Sequence, residues 1–356
     1  MPMTAMEPPS GPAPERTSQA FERLAEPFRR EIRLHCYRML GSLHEAEDLA
    51  QETYLRAWRS FDHFEGGSFR AWLYKIATNA CLNALESRKL ARRLLPDQQF
   101  PATSQMPNGT PAPDIVWLEP YPDSNLEGIA DDAPGPEARY GSREAVQLAF
   151  VAAIQELPPR QRAALMLCDV LGWAASEAAE LLGGSTASIN SALQRARETL
   201  SKRYPHGRPA AAPKPTPAQQ KLLGRYVRAW EELDLDGFVA LLKEDATYIM
   251  PPLPQWYAGR EDIRNFFAFA FKLYDSFRMV PTAANGQPAF AAYSRKAAGT
   301  PWTAHSIQVL SLDAQDMIST LTLFVKPDAE RLFSEFGLPL LLTDDACGGL
   351  PSHQFR

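Results

Sequence analysis

The chain has 356 residues, 45% of them hydrophobic, enough to bury the cores of two or three domains. Its 4 cysteines share no metal-ligand spacing, the N-terminus (MPMTAMEPPSGPAPERT) is proline-rich rather than a signal peptide, and no apolar run reaches membrane length. A disulfide scaffold, a zinc module and a membrane protein are thereby disfavoured, a cytoplasmic location is predicted, and the net charge of −5 argues against a uniformly basic nucleic-acid binder.

Residues 1–24 read as a flexible arm and 25–95 as a first helical domain. The latter carries 12 Lys/Arg against 8 Asp/Glu from Pro27 to Leu95. Within it, AEDLAQETYLRAWR (46–59) has helical period. Ala46, Ala50, Tyr54, Ala57, Trp58 and Phe61 form a core stripe. Asp48, Gln51, Glu52, Leu55 and Arg59 share the opposite side, an apolar anchor inside a rim of hydrogen-bonding groups, which suits a protein-binding face. Spacing alone does not separate this from a solvated face. Residues 68–93 (SFRAWLYKIATNACLNALESRKLARR) predict a second amphipathic helix with Leu73, Ile76, Ala77, Ala80 and Ala84 inward. Trp72, Lys75, Asn79 and Asn83 face outward, and Arg88, Lys89, Arg92 and Arg93 follow at the end. A ring for stacking, amides for base edges and cations for phosphate suit unpaired bases, and a plain wet face is the alternative.

These two helices resemble regions 2.2 to 2.4 of the sigma-70 family. The resemblance implies that Asp48, Gln51, Glu52, Leu55 and Arg59 dock on the clamp helices of core RNA polymerase. It also implies that Phe64, Trp72, Lys75, Asn79, Asn83, Arg88 and Lys89 melt and read a −10 promoter element. The loop Phe61 to Gly67, which contains Phe64, stands where that family holds a flipped base.

Residues 96–137 read as a linker, with nine prolines and, from Asp97 to Glu137, 8 acidic and no basic residues. Its centre, DIVWLEPYPD (114–123), is too aromatic for a plain spacer. Either it tacks the linker to a domain, or, as the resemblance implies, the linker threads the polymerase cleft.

Residues 138–204, with 8 Lys/Arg against 6 Asp/Glu from Arg139 to Arg203, read as a helix-turn-helix. Ser176 to Leu182 is the first short helix, Gly183 and Gly184 make the turn, and Ser185 is the N-cap of the second. Ile189, Leu193, Ala196 and Leu200 point inward. Thr186, Ser188, Asn190, Ser191, Gln194 and Arg195 are left for a major groove, with Arg197, Lys202 and Arg203 for phosphates. The segment resembles sigma region 4.2, which implies −35 recognition and a contact with the polymerase flap. Related factors often carry arginine where this chain has Asn190 and Ala192.

A hinge (205–217) leads to a domain at 218–340, and from Leu222 to Arg356 there are 16 acidic against 12 basic residues. A helix with Leu222, Leu223, Tyr226, Val227 and Trp230 comes first. Strand-like runs follow near Thr247, Phe277, Ala289, Trp302 and Ile318, with a Phe-rich helix after Tyr257. This order predicts an α+β cone. GFVALLKEDATYIMPP and YAGREDIRNFF resemble the SnoaL-like branch of the NTF2-like superfamily. The whole chain is thus similar to extracytoplasmic-function (ECF) sigma factors with a SnoaL-like tail. The predicted fold is multidomain: two all-α sigma domains plus an α+β SnoaL-like cone, with a loose tail at 341–356. Promoter DNA and core RNA polymerase are the implied partners, a small ligand and an anti-sigma factor are further candidates, and no cofactor or metal is required.

Cones of this type include enzymes, so an enzyme or ligand-binding module fused to a DNA-binding arm is the rival reading. Tyr248, Met250, Trp256, Trp302 and His305 are its candidate pocket, with His305 on a strand beside Ile307 and Val309. The same residues also suit a packed core. Asp234, Asp236, Glu244 and Asp245 are explained by turns and helix ends.

Overall fold

The computed structural model describes residues 18–87, 93–107, 115–129, 139–141, 144–203 and 215–342. The predicted arm is in part ordered. Helix α1 (Ser18–Ala25) buries Phe21, whose ring packs 5.3 Å from Phe61, so an apolar side chain fixes the arm's end. Helices α2 (Arg29–Leu40), α3 (Leu43–Arg59) and α4 (Phe69–Ser87) complete the first domain. Gly41, at φ 72°, ends α2 in the left-handed region, and Ser42 caps α3 by accepting from the Glu45 amide.

The linker begins with a short turn of helix, α5 (Pro96–Gln99). Its aromatic centre then packs into the protein. Leu118 and Tyr121 are fully buried, and a Cβ on Gly41 would meet Leu118 at 2.9 Å. Helices α6 (Leu148–Gln155) and α7 (Pro159–Leu165) follow, the latter running on into a widened turn at Met166–Val170. The helix-turn-helix is α8 (Ala175–Leu182) and α9 (Thr186–Arg203).

The last domain opens with α10 (Pro217–Glu231) and α11 (Leu235–Val239), then β1 (Leu242–Ile249), β2 (Trp256–Ala258) and α12 (Arg260–Ala270). Strands β3 (Ser276–Ala284), β4 (Gln287–Arg295), β5 (Trp302–Leu312) and β6 (Ile318–Val325) follow. Helix α13 (Asp328–Glu335) and β7 (Leu341–Leu342) close the described chain, and β7 pairs with β5. Leu341 and Leu342, expected in the loose tail, instead join a sheet edge, and the rest of that tail lies outside the described residues. The strand order is β2-β1-β6-β5-β4-β3, parallel only between β1 and β6.

One face of this sheet packs on α10 to α12 and forms its own core with Tyr226, Trp230, Phe238 and Phe267. The opposite face is lined by small residues, Ala284, Ala289, Ala291 and Ala304. It belongs to a core continuous with both helical domains and the linker. The cone is thus packed into the rest of the molecule.

At the centre of that junction lies Asn285, fully buried, in the two-residue Asn-Gly turn between β3 and β4. Its amide donates to the Val146 carbonyl (2.8 Å) and the Tyr37 hydroxyl (2.9 Å), and its Oδ1 accepts from the Tyr121 amide (2.8 Å). One side chain so joins the first helical domain, the linker, the second helical domain and the cone. Neighbouring bonds repeat the theme: the Leu148 amide donates to Gln287 Oε1 (2.9 Å) and the Gly286 amide to Asp123 Oδ1 (2.8 Å).

Candidate nucleic-acid interface

Helix α3 presents the face that the sequence predicted. Ala46, Ala50, Tyr54, Ala57 and Phe61 are buried, while Asp48, Gln51, Leu55 and Arg59 are exposed and Glu52 is half-buried. Leu55 is 51% exposed, an apolar side chain amid these polar ones. Exposed pairs set the rim: Arg56 to Glu52 at 2.7 Å, His44 to Asp48 at 3.6 Å. Trp58 departs from the prediction. It is 41% exposed and only edges the core, 5.5 Å from Phe21, because Ala57 and Phe61 hold the inward positions beside it.

On α4, Lys75 and Asn83 are exposed and Asn79 is half-buried. The Trp72 ring meets Phe64 at 5.1 Å, tilted by 40°, and Phe64 also meets Phe69 at 5.5 Å, so the loop and helix present one aromatic ledge beside the amides. The buried arc is wider than predicted and includes Tyr74, Thr78, Cys81 and Leu82. Arg88, Lys89 and Arg92 lie outside the described residues. Arg93 is not available to phosphate: it pairs with Glu45 at 3.1 Å and donates to the Trp117 carbonyl, fastening the linker to α3. Glu119 completes that joint by accepting from the Leu43 amide at 2.7 Å and pairing with Arg331 of α13 at 2.8 Å.

Gly183 turns α8 into α9 at φ 64°, and the Ser185 hydroxyl accepts from the Ser188 amide at 3.2 Å. Ile189, Leu193, Ala196 and Leu200 are buried as predicted, and Thr186, Asn190, Ser191, Gln194 and Arg195 are exposed. Two assignments change, those of Ser188 and Arg197. The Ser188 hydroxyl is occupied by the cap, donating to the Ser185 carbonyl at 2.7 Å. Ala192 is buried, so that position faces the core. Arg197 is not a phosphate contact but a bidentate partner of the fully buried Asp169, at 2.8 and 2.5 Å, which holds its guanidinium above the usual range. The mid-helix arginine and the Asp169 turn are far apart in sequence, so spacing gave no sign of the pair.

In the cone, a cavity of about 840 Å³ opens between the sheet and α12. Tyr248, Met250 and His305 line it, as predicted. Trp302 and Trp256 do not. Trp302 lies on the other sheet face under Arg295, 4.2 Å from its ring centre, and the Trp256 indole donates to the Phe100 carbonyl of the linker at 2.8 Å. His305 does not share a face with Ile307 and Val309. In the β4–β5 ladder Ala292 pairs with Ser306 and Tyr293 with Ala304, so His305 is an extra, bulged residue and turns to the cavity side. Asp234 caps α11 as expected, whereas Glu244 and Asp245 lie exposed in β1 rather than in turns. Among the described residues no group of three or more His, Cys, Asp or Glu is placed to hold a metal, and no helix is long and apolar enough to cross a membrane.

The chain matches the family models for sigma-70 region 2 at residues 24–98, sigma-70 region 4 at 147–200 and a SnoaL-like domain at 223–320. It is 43% identical to the ECF RNA polymerase sigma factor SigG of Mycobacterium tuberculosis, over 92% of this chain and 86% of that protein. The chain belongs to the ECF sigma factors. It is also 29% identical to the ECF sigma factor SigW of Bacillus subtilis, over 51% of this chain and 88% of that one. Its fold is similar to the crystal structure of M. tuberculosis SigJ, with a TM-score of 0.59, 22% identity, and coverage of 91% of this chain and 100% of that one.

In this sigma factor the two helical domains touch directly. Gln155 donates to the Arg38 carbonyl at 2.9 Å, Arg38 to the Ala145 carbonyl at 3.0 Å, and the buried Arg162 to the Met39 carbonyl. The Tyr74 and Trp173 rings meet at 5.9 Å. Sequence reading identified both domains but not this contact, because its partners are backbone carbonyls. The one signal of the junction read from the sequence was the aromatic linker centre, whose Leu118 and Tyr121 are buried in it.

Proposed function

We propose that the described conformation is a closed, stored form of the factor, which opens when core RNA polymerase captures it. The observation that carries this is the Asn285 junction together with the direct packing of region 2 on region 4. On a straight duplex, −35 and −10 elements lie roughly 85 Å apart at about 34 Å per ten base pairs. Two readers in contact cannot occupy both. In the open form, Asp48, Gln51, Glu52, Leu55 and Arg59 dock on polymerase. The Phe64–Trp72 ledge with Lys75, Asn79 and Asn83 takes −10 bases, and Thr186, Asn190, Ser191, Gln194 and Arg195 take the −35 groove. The cone modulates this step by holding the linker, and the factor itself performs no catalysis. Its place of action is the cytoplasm.

The test is a D48K/E52K double variant. Both carboxylates point away from the core, so the melting profile should be unchanged. Core binding in a pull-down should fall by more than about tenfold, a change that needs only about 1.4 kcal/mol. Unchanged affinity would remove the docking assignment. In parallel, N79A should lower permanganate reactivity of promoter thymines without loss of core binding.

A further inference from the structure

The Asn-Gly turn that clasps the junction is also a chemically reactive pair. Glycine has no side chain to shield its amide nitrogen, so in a free Asn-Gly segment that nitrogen can reach the preceding side-chain carbonyl carbon. Here both reacting groups are held. Asn285 has no exposure, its Oδ1 accepts from the Tyr121 amide at 2.8 Å, and its Nδ2 donates to the Val146 carbonyl and the Tyr37 hydroxyl. The Gly286 amide, the group that would attack, gives its hydrogen to Asp123 Oδ1 at 2.8 Å. None of these four partners belongs to the cone: Tyr37 lies on α2, Tyr121 and Asp123 in the linker, and Val146 just before α6. Parting the cone from them frees both groups.

We propose that Asn285-Gly286 is a self-modification site, protected in the closed form and unmasked when core RNA polymerase captures the factor. The unmasking rests on the closed-to-open reading given above. The step needs only water. A base takes the Gly286 amide proton, the nitrogen attacks Asn285 Cγ, and the Cγ–Nδ2 bond breaks with loss of ammonia, leaving a cyclic imide. Water then opens the imide at either carbonyl to give aspartate or isoaspartate. One water is consumed, one ammonia is released, and nothing is oxidised or reduced. The product cannot remake the clasp. A carboxylate at 285 meets the Val146 carbonyl and the Tyr37 hydroxyl, whose hydrogen already goes to the Glu119 carbonyl at 2.8 Å, so acceptors face acceptors. Isoaspartate also lengthens the main chain inside the turn that pairs Ala284 with Gln287. The turn thus records time spent open.

The full chain is incubated at mildly alkaline pH alone, in guanidinium chloride, and on saturating core polymerase. Its tryptic peptide Met279–Arg295 holds one asparagine, fragment masses separate position 285 from Gln287, and the other Asn-Gly pair, Asn108-Gly109, falls in a different peptide. Alone, the chain should react at 285 about tenfold or more slower than when unfolded, because the rate follows the open fraction. Core should raise that rate by about tenfold or more. The re-isolated product, and N285D, should show a closed-to-open ratio lower by about tenfold or more. Energy transfer between dyes on E22C and E180C, in a C347S background, reads that ratio. If N285D does not fold, the aged wild-type chain supplies the measurement. Unchanged closure of the product, or no gain in rate on core whose capture lowers the transfer, would overturn the proposal. If capture leaves the transfer unchanged, the opening itself fails and D123A decides the site in the free chain. Releasing the Gly286 amide should speed the reaction by about 3-fold or more, the factor of one hydrogen bond, and a wild-type rate would overturn the site.

Discussion

Replacing Asn285 with glycine isolates the contribution of the junction to the closed state. Glycine accepts the φ of 57° without strain and keeps the Asn285 amide bond to the Tyr121 carbonyl, and Gly-Gly still forms a tight hairpin turn. What is lost is the side chain, leaving the Tyr121 amide and the Val146 carbonyl unpaired in a buried site. Each such group costs about 1–3 kcal/mol, so the closed state should weaken by about 2–6 kcal/mol. Taking about 2 kcal/mol, where water enters, the closed-to-open ratio falls about 30-fold. Energy transfer between dyes on Q51C and Q194C, in a C347S background, reports the ratio. The other cysteines, Cys36, Cys81 and Cys168, are buried. Transfer in the free protein should drop. Apparent affinity of the unlabelled variant for core polymerase should rise by up to about 30-fold, because only the open fraction binds. A variant with wild-type transfer efficiency, core affinity and melting would refute the closed-state reasoning.

The two arginines of α9 should separate. R197A strips the buried Asp169 of its bidentate partner and should destabilise region 4 toward the low end of about 3–5 kcal/mol, since Arg139 remains 3.9 Å away. R195A should melt normally and change −35 selectivity, and equal melting losses in the two would contradict the assignment. His35 gives a pH signature. Burial and Arg38 lower it to about 3 from 6.5, so below pH 6.5 the unfolded chain takes up a proton that the folded one refuses. Stability is lost as pH falls through that window, and the wild-type advantage over H35Q should shrink by about 1.4 kcal/mol per unit. A pH-independent difference in chemical denaturation would exclude this.

Periodicity disclosed most of the fold, because the inward stripes of α3, α9 and α10 repeat at 3.6 residues and the strands alternate. It failed where local irregularity decides direction. A single bulge at His305 moved that ring to the other face of β5 and left Trp302 opposite the cavity. It also failed where a charged residue serves the core: Arg197, Arg162 and Arg93 look like surface cations in sequence. Each is consumed by a buried carboxylate, by carbonyls or by the linker, across separations that no pattern encodes. The exposed set on α3 and on the first turns of α9 was legible, since exposure there follows from the stripe.

The junction also has an order in time. Tyr37, Tyr121 and Val146 leave the ribosome long before Asn285, which follows Val146 by roughly 140 residues, or about 7–28 s at ordinary elongation rates. The second reader is complete at Arg203, so for the last 82 of those residues the nascent factor has both readers and lacks the Asn285 bonds. Premature termination between Arg203 and the β3–β4 turn therefore yields a chain that keeps the direct contacts of region 2 with region 4 but lacks the Asn285 bonds, so the length of the finished product shifts its resting state toward the open form.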